Sequence, residues 1–309
     1  MSGAYTHLAI ANDARPLAAR AGLRSSTLKS LGLHLKYVEL GAVSPDYPYL
    51  CLDRRQTVWA DLMHYTSTAR LVRAAVSAVH KLPPDLQPQA TAWLFGFAAH
   101  ITTDMTIHPV VELKVGPYKG NEAAHRRCEM HQDAYIFPRV MNAGATNLTE
   151  HLSTGIAACC DGQDEDRLHK AVEQVWLSML KDTYPDRFAK EPPTPSAWHS
   201  GFKGIVTSLS KANHLFPFSR HVTANAGLTY PPERDVDKQY LEDLATPEGP
   251  KSFDEIYAKA RDNVLAIWKG LDDALILGNS PELDRLEDWN LDTGRSVSTG
   301  QLVFWGNSK

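Results

Sequence analysis

The sequence predicts an all-α fold, and three observations carry that prediction. Apolar residues recur at three- and four-residue spacing along most of the chain, period-two alternation is almost absent, and no internal repeat or low-complexity tract interrupts the pattern. In chain order, a helical pattern starts at Pro16, a residue suited to a first helical turn, and runs to about Leu33. Gly41–Leu50 holds two prolines, which exclude a regular helix and make the segment a loop. From Gln56 to about Lys81, Val58, Leu62, Tyr65, Leu71, Val72, Val76 and Val79 follow mostly at helical spacing. The next helix covers about Leu86–Ile107 and stops near Pro109; others cover about Asn121–Met141 and Asp164–Lys181. The proline-rich run Glu191-Pro-Pro-Thr-Pro-Ser196 is the best internal boundary. Beyond it lie helical patterns at about Ser200–Ala212 and Ser252–Leu277, then a polar tail in which Thr299–Trp305 can add a short strand. The expected organisation is one all-α domain over 1–309, with a metal-binding core at 1–190 and a C-terminal helical extension and tail at 191–309.

Composition narrows the class of function. Of 309 residues, 43% are hydrophobic and 22% charged, which is ordinary globular usage rather than that of a disordered or fibrous chain. The net charge is −4, from 32 basic against 36 acidic residues, so no basic excess draws in a nucleic-acid backbone. The longest apolar runs, such as Ala92–Ala99, are far shorter than a membrane span. The beginning Met1-Ser-Gly-Ala-Tyr-Thr-His carries no basic, long-apolar and small-residue signal pattern, and the four cysteines show no CxxC spacing. Free thiols in a cytoplasmic protein are the expectation.

Chemistry concentrates in the 13 histidines. In Trp93-Leu-Phe-Gly-Phe-Ala-Ala-His-Ile-Thr-Thr-Asp-Met-Thr-Ile-His108, the residues His100, Asp104 and His108 step by four. Each such step turns a helix by about 40°, so the three share a face within about 80° over roughly 12 Å of axis. Their neighbours are apolar nearly all round, and a buried Asp with two His needs a partner, which a metal ion supplies. His125, Glu129 and Asp133 repeat the spacing in the following helix, with His131 on a neighbouring face. A chance H-x3-acid-x3-H is expected about 0.06 times in a chain of this composition, and the looser H-x3-acid-x3-acid about 0.2 times. The second triad alone also reads as a solvated or salt-bridged helix face.

Upstream, His64 lies on the apolar side of its helix and taken alone reads as a hydrogen-bonded core residue. Asp46, between two prolines, alone reads as a turn or cap residue, and His7 alone proves nothing. Trp59, Trp93, Tyr47, Tyr49 and Phe97 are core residues or the lining of a cleft. The C-terminal third brings His199, His214 and His221 with scattered Lys203, Lys211 and Arg220, read as structural.

As an ordered set, Thr6-His7, Ser44-Pro-Asp46, His64, Gly96-x3-His100-x3-Asp104-x3-His108 and His125-x3-Glu129 resembles the zinc-dependent phospholipase C family. The resemblance extends over roughly residues 4–140 and is strongest to the branch containing the catalytic domain of glycosylphosphatidylinositol-specific phospholipase D. It implies a multi-helix bundle of the zinc-dependent phospholipase C and single-strand nuclease type, with a cluster of two or three zinc ions. Position by position, it implies that Asp46, His64, His100 and Asp104 hold one zinc, with Asp104 bridging to a neighbour. His108, His125 and Glu129 would hold a second, and His7 with Asp104 would contribute to a third. In secreted members the mature N-terminal residue binds that third ion; here Met1-Ser-Gly-Ala-Tyr precedes His7, so a backbone group near Gly3 or Ala4 substitutes or the third site is weak.

The implied reaction is phosphodiester hydrolysis by metal-activated water attacking phosphorus, with Asp46 taking its proton. A phospholipid or other phosphodiester is the expected substrate, with transient contact at a membrane surface and no nucleic-acid partner. Two rivals accompany this reading: a zinc nuclease or small-molecule phosphodiesterase with the same ligands, and a helical protein whose metal is structural. No G-x-S-x-G elbow, GxGxxG or Walker-type loop offers another chemistry.

Overall fold

Helix α6 (Gln87–Val115) is the axis of the molecule, because no side of it is polar enough to face water. Every residue from Ala92 to Val111 is buried. The computed structural model describes residues 3–141, 155–211, 231–278, 280–284 and 286–306. Around α6 stand α1 (Ala4–Leu17), α2 (Ser25–Leu33), α3 (Leu35–Val43), α5 (Thr68–Lys81), α7 (Glu122–Met141), α8 (Lys170–Thr183) and α11 (Phe253–Leu277). Shorter helices α4 (Thr57–Tyr65), α9 (Pro185–Lys190) and α12 (Pro281–Asp284), with α10 (Pro195–Lys211), complete the helical set in the described residues. A two-stranded antiparallel hairpin near the C-terminus, β1 (Trp289–Asn290) and β2 (Arg295–Ser296), pairs Trp289 with Ser296 and Asn290 with Arg295. The all-α expectation therefore holds.

The tightest helix pair is α3 against α6, and two glycines make it possible. A Cβ on Gly96 would lie 1.9 Å from the Val38 carbonyl oxygen, and one on Gly41 would lie 2.1 Å from the Trp93 carbonyl oxygen. With no side chain at either position the two backbones touch, and Trp93 Nε1 donates to Ser44 Oγ at 2.7 Å just beyond the crossing. On the other flank, the Trp268 indole of α11 donates to the Phe95 carbonyl at 2.8 Å. Helix α11 begins with a capping box between Ser252 and Glu255 and ends at Gly278 in the left-handed region, φ 78°.

Several boundaries differ from the sequence reading, each for a local reason. The first helix begins at Ala4, not Pro16; Pro16 sits near its C-terminal end, and α2 and α3 follow as separate helices. Gly41–Leu50 is not loop throughout: α3 runs to Val43, and Ser44–Leu50 is a 3-10 turn that accommodates both prolines. The stretch Gln56–Lys81 is broken into α4 and α5 at Ser67, whose φ of 53° no helix adopts. Helix α6 does not stop at Pro109 but continues to Val115. The helix expected from Asp164 begins at Lys170, and within Thr299–Trp305 only Leu302 makes a bridge, to Arg295. Among the described residues no helix is long and apolar enough to cross a membrane.

Candidate metal centre

Six sequence-flagged residues converge inside the bundle. Asp104, fully buried on α6, stands at their centre: Oδ1 is 3.2 Å from His7 Nε2 and 3.2 Å from His108 Nε2. Its Oδ2 is 3.2 Å from His100 Nε2 and 4.0 Å from His64 Nε2. Asp46 Oδ1, from the Ser44–Leu50 turn, reaches within 3.4 Å of His64 Nε2. The rings of His7 and His100 stack at 3.9 Å between centroids, and His64 meets His100 edge-on at 5.6 Å. Two trios result, His7–His100–Asp104 and Asp46–His64–His100, in each of which one ligand atom per residue lies within 4.8 Å of the others.

Main-chain carbonyls set the orientation of three rings. His64 Nδ1 donates to the Ala60 carbonyl at 2.7 Å, His100 Nδ1 to the Ala42 carbonyl at 2.9 Å, and His108 Nδ1 to the Leu291 carbonyl at 2.5 Å. A carbonyl only accepts, so each Nδ1 carries the hydrogen and, in a neutral ring, each Nε2 presents a lone pair inward. Those three Nε2 atoms and Asp46 Oδ1 are buried and make no hydrogen bond. Acceptors thus face acceptors across about 3–4 Å, an arrangement that a cation between them satisfies. The residues present fit a zinc ion.

The charges of these groups are coupled. Burial works to raise the Asp104 carboxyl, but the His108, His100 and His7 rings outweigh it and hold the group well below the usual carboxylate range. Asp46 is likewise lowered: burial opposes its charge, but the facing His64 ring and the nearby His100 outweigh burial. Burial pushes His108 down to about 3 and lowers His7. Within the centre His100 is raised: burial opposes its charge, but Asp104 outweighs burial, so a proton and a metal ion compete for its Nε2.

His125 and Glu129 do not enter either trio among the described residues. His125 Nε2 donates to the Gly116 carbonyl at 2.7 Å, and Tyr118 packs on its ring at 5.2 Å. Glu129 is buried, 3.9 Å from the Arg126 guanidinium, and burial pushes its carboxyl up to about 7. Asp133, third in that four-residue series, serves α1 instead. It accepts from Thr6 N at 2.8 Å, Thr6 Oγ1 at 2.7 Å and Tyr5 N at 3.3 Å, capping from another helix a terminus whose own N-cap residue, Gly3, has no side chain. That cap fixes the first turn of α1 and with it His7. His131 accepts from Asp237 N at 3.0 Å, outside the centre.

Of the aromatic candidates, Tyr47, Trp59, Trp93 and Phe97 are core; Tyr49 is partly exposed and lies 6.4 Å from the His64 ring. His199 is a buried partner of Tyr47, at 3.2 Å. The four cysteines are free thiols. His214, His221 and Arg220, and the side chain of Lys211, lie outside the described residues. The sequence reading did not find the Ala42, Ala60 and Leu291 carbonyls or the Asp133 cap. A main-chain acceptor leaves no sequence signal, whereas the four-residue spacing did flag Asp133 but for the wrong partner.

No match is found among curated proteins or among solved structures. Residues 6–185 match the family described as zinc dependent phospholipase C. That match spans more than half of the 309-residue chain and contains every residue of both trios. On this match and on the converging histidines and carboxylates, the chain belongs to the zinc-dependent phospholipase C family.

Proposed function

We propose that the chain is a zinc-dependent phosphoric diester hydrolase acting on phospholipid, resembling in motif order the branch that includes the catalytic domain of glycosylphosphatidylinositol-specific phospholipase D. The observation that carries this reading is the convergence of three carbonyl-anchored histidines on Asp104, with Asp46 beside His64. Asp46, His64, His100 and Asp104 would hold one ion; His7 with Asp104 would hold another, and His108, with His125 and Glu129, a further one. When bound, such ions supply Lewis acidity that polarises a phosphodiester and makes water acidic enough to react near neutral pH.

The protein's own part is arrangement and proton transfer. Asp46 is held ionised, so its carboxylate can accept the proton of the attacking water. The anchored rings keep the ligand atoms in place without reorganisation. Contact with a membrane surface is transient in this reading, since the substrate lies there while the enzyme needs no span.

Two experiments test the proposal. Phosphatidylcholine, single-stranded DNA and a chromogenic phosphodiester are assayed side by side; cleavage of the nucleic acid alone replaces the lipase reading with the nuclease one. Asp46→Asn is expected to lower turnover by about 10²–10⁴-fold while most of the bound zinc remains. Undiminished hydrolysis would remove Asp46 from the role of base, and absence of hydrolysis in the wild type with zinc bound would favour a structural metal.

A further inference from the structure

The hairpin near the C-terminus lies beyond the 6–185 family match, yet it touches two of the helices that carry candidate ligands, α4 and α6. Leu291 links them directly. Its N–H donates to the His64 carbonyl at the end of α4, 3.0 Å, while its carbonyl accepts from His108 Nδ1 on α6, 2.5 Å. The next residue, Asp292, accepts from the Tyr65 hydroxyl at 2.8 Å, and Tyr65 adjoins His64.

The turn is seated where α6 is imperfect. Pro109 has no N–H to donate to the Met105 carbonyl. Gly294 packs against this break: with φ at 66°, a Cβ there would lie 2.3 Å from Pro109 Cγ and 2.6 Å from the Met105 carbonyl oxygen. The Trp305 indole donates to the Thr106 carbonyl at 2.8 Å and ties down the end of the tail.

We propose that the turn Leu291–Asp292 is a positioning element of the metal centre, in which the Leu291 carbonyl sets the His108 ring and Asp292, held by Tyr65, favours retention of a divalent cation on the His108–His125 side. The inference rests on the metal-hydrolase reading above. Asp292 follows directly on Leu291, whose carbonyl holds the His108 ring, and its negative charge favours positive charge at His108 and His125, the two histidines to which the family resemblance assigns a further ion. Partners that orient metal-bound histidines change metal affinity by about 10–100-fold when removed.

The test uses the full chain loaded with zinc, comparing wild type with Asp292→Asn, Asp292→Glu, Gly294→Ala and His108→Ala. Metal per chain is measured by elemental analysis, zinc affinity by competition with a chelator, and melting temperature with and without metal. Asp292→Asn removes the charge but keeps an oxygen for Tyr65. It is expected to weaken retention of the least tightly held ion by about 10–100-fold, with the metal-free melting temperature unchanged and affinity largely restored in Asp292→Glu. Gly294→Ala is expected to weaken zinc binding by displacing the turn.

Wild-type affinity in Asp292→Asn overturns the proposal. So does an equal fall in melting temperature with and without metal at unchanged affinity, which marks a merely structural role. If Gly294→Ala does not fold, Asp292→Asn still decides. Wild-type zinc content and affinity in His108→Ala would instead show that no ion is held at His108, a failure of the underlying ligand assignment.

Discussion

Gly96→Ala sets two effects of opposite sign against each other. In an isolated helix the change stabilises by about 1 kcal/mol, since alanine favours helix more than glycine does. Here the new methyl would meet the Val38 carbonyl oxygen at 1.9 Å and the Ala42 nitrogen at 2.8 Å. Reaching an ordinary contact of about 3.4 Å requires the α3 and α6 backbones to separate by roughly 1.5 Å, and overpacking of this kind costs about 1–3 kcal/mol. The same displacement carries the Ala42 carbonyl out of reach of His100 Nδ1, now 2.9 Å away, and a buried group left unsatisfied costs about 1–3 kcal/mol more. The clash outweighs propensity, leaving a net loss of about 1–5 kcal/mol, or roughly 2–10 °C in melting temperature at about 2 °C per kcal/mol. Because the His100 ring loses its anchor, zinc affinity should fall by about 10–100-fold. Thermal melts with and without chelator, alongside elemental analysis, read both effects. A Gly96→Ala protein that melts at or above the wild-type temperature with its zinc intact would refute the reasoning, because the helices could then not be in contact.

Asp104→Asn should lower zinc content more than any other single substitution in the centre, since Asp104 lies 3.2 Å from three Nε2 atoms; elemental analysis across the ligand set checks the ranking. Chelation should destabilise the protein by about 4 kcal/mol where free zinc stood at a thousand times its dissociation constant, and a melting temperature indifferent to chelator would contradict a metal-filled centre. Asp133→Ala removes the cap of α1 and should cost about 1–2 kcal/mol, with weaker zinc retention because His7 follows that first turn; hydrogen exchange at Tyr5 and Thr6 reports the loss. Asp272→Asn should destabilise by about 3 kcal/mol with zinc content unchanged. Its buried carboxylate accepts from Thr27 Oγ1 and Arg24 Nη1, both at 2.5 Å, away from the metal centre; loss of zinc in this variant would show the two regions to be coupled.

Part of the centre was legible because helical geometry is regular. His100, Asp104 and His108 face one way by their spacing alone, and the structure finds them together. His7, Asp46 and His64 come from three separate segments, so no local period relates them; only their order along the chain did. Asp133 shows the limit of spacing. It stands at the same spacing from His125 as His108 does from His100, yet the first turn of α1 packs against it and takes its carboxylate. Pro109 reads as a stop because the sequence cannot show that a glycine turn from nearly two hundred residues later packs over the broken rung. The break at Ser67 is invisible in the sequence because a left-handed serine carries no compositional mark.

Ala42, Ala60 and Leu291 hold the histidine rings through peptide oxygens, which every amino acid possesses. Exchanging one small or apolar residue for another at these places leaves the acceptor where it was. The vulnerability moves to chain path instead: an insertion before position 42, a slipped turn after position 60, or a proteolytic nick near position 291 would disarm the site while sparing every ligand.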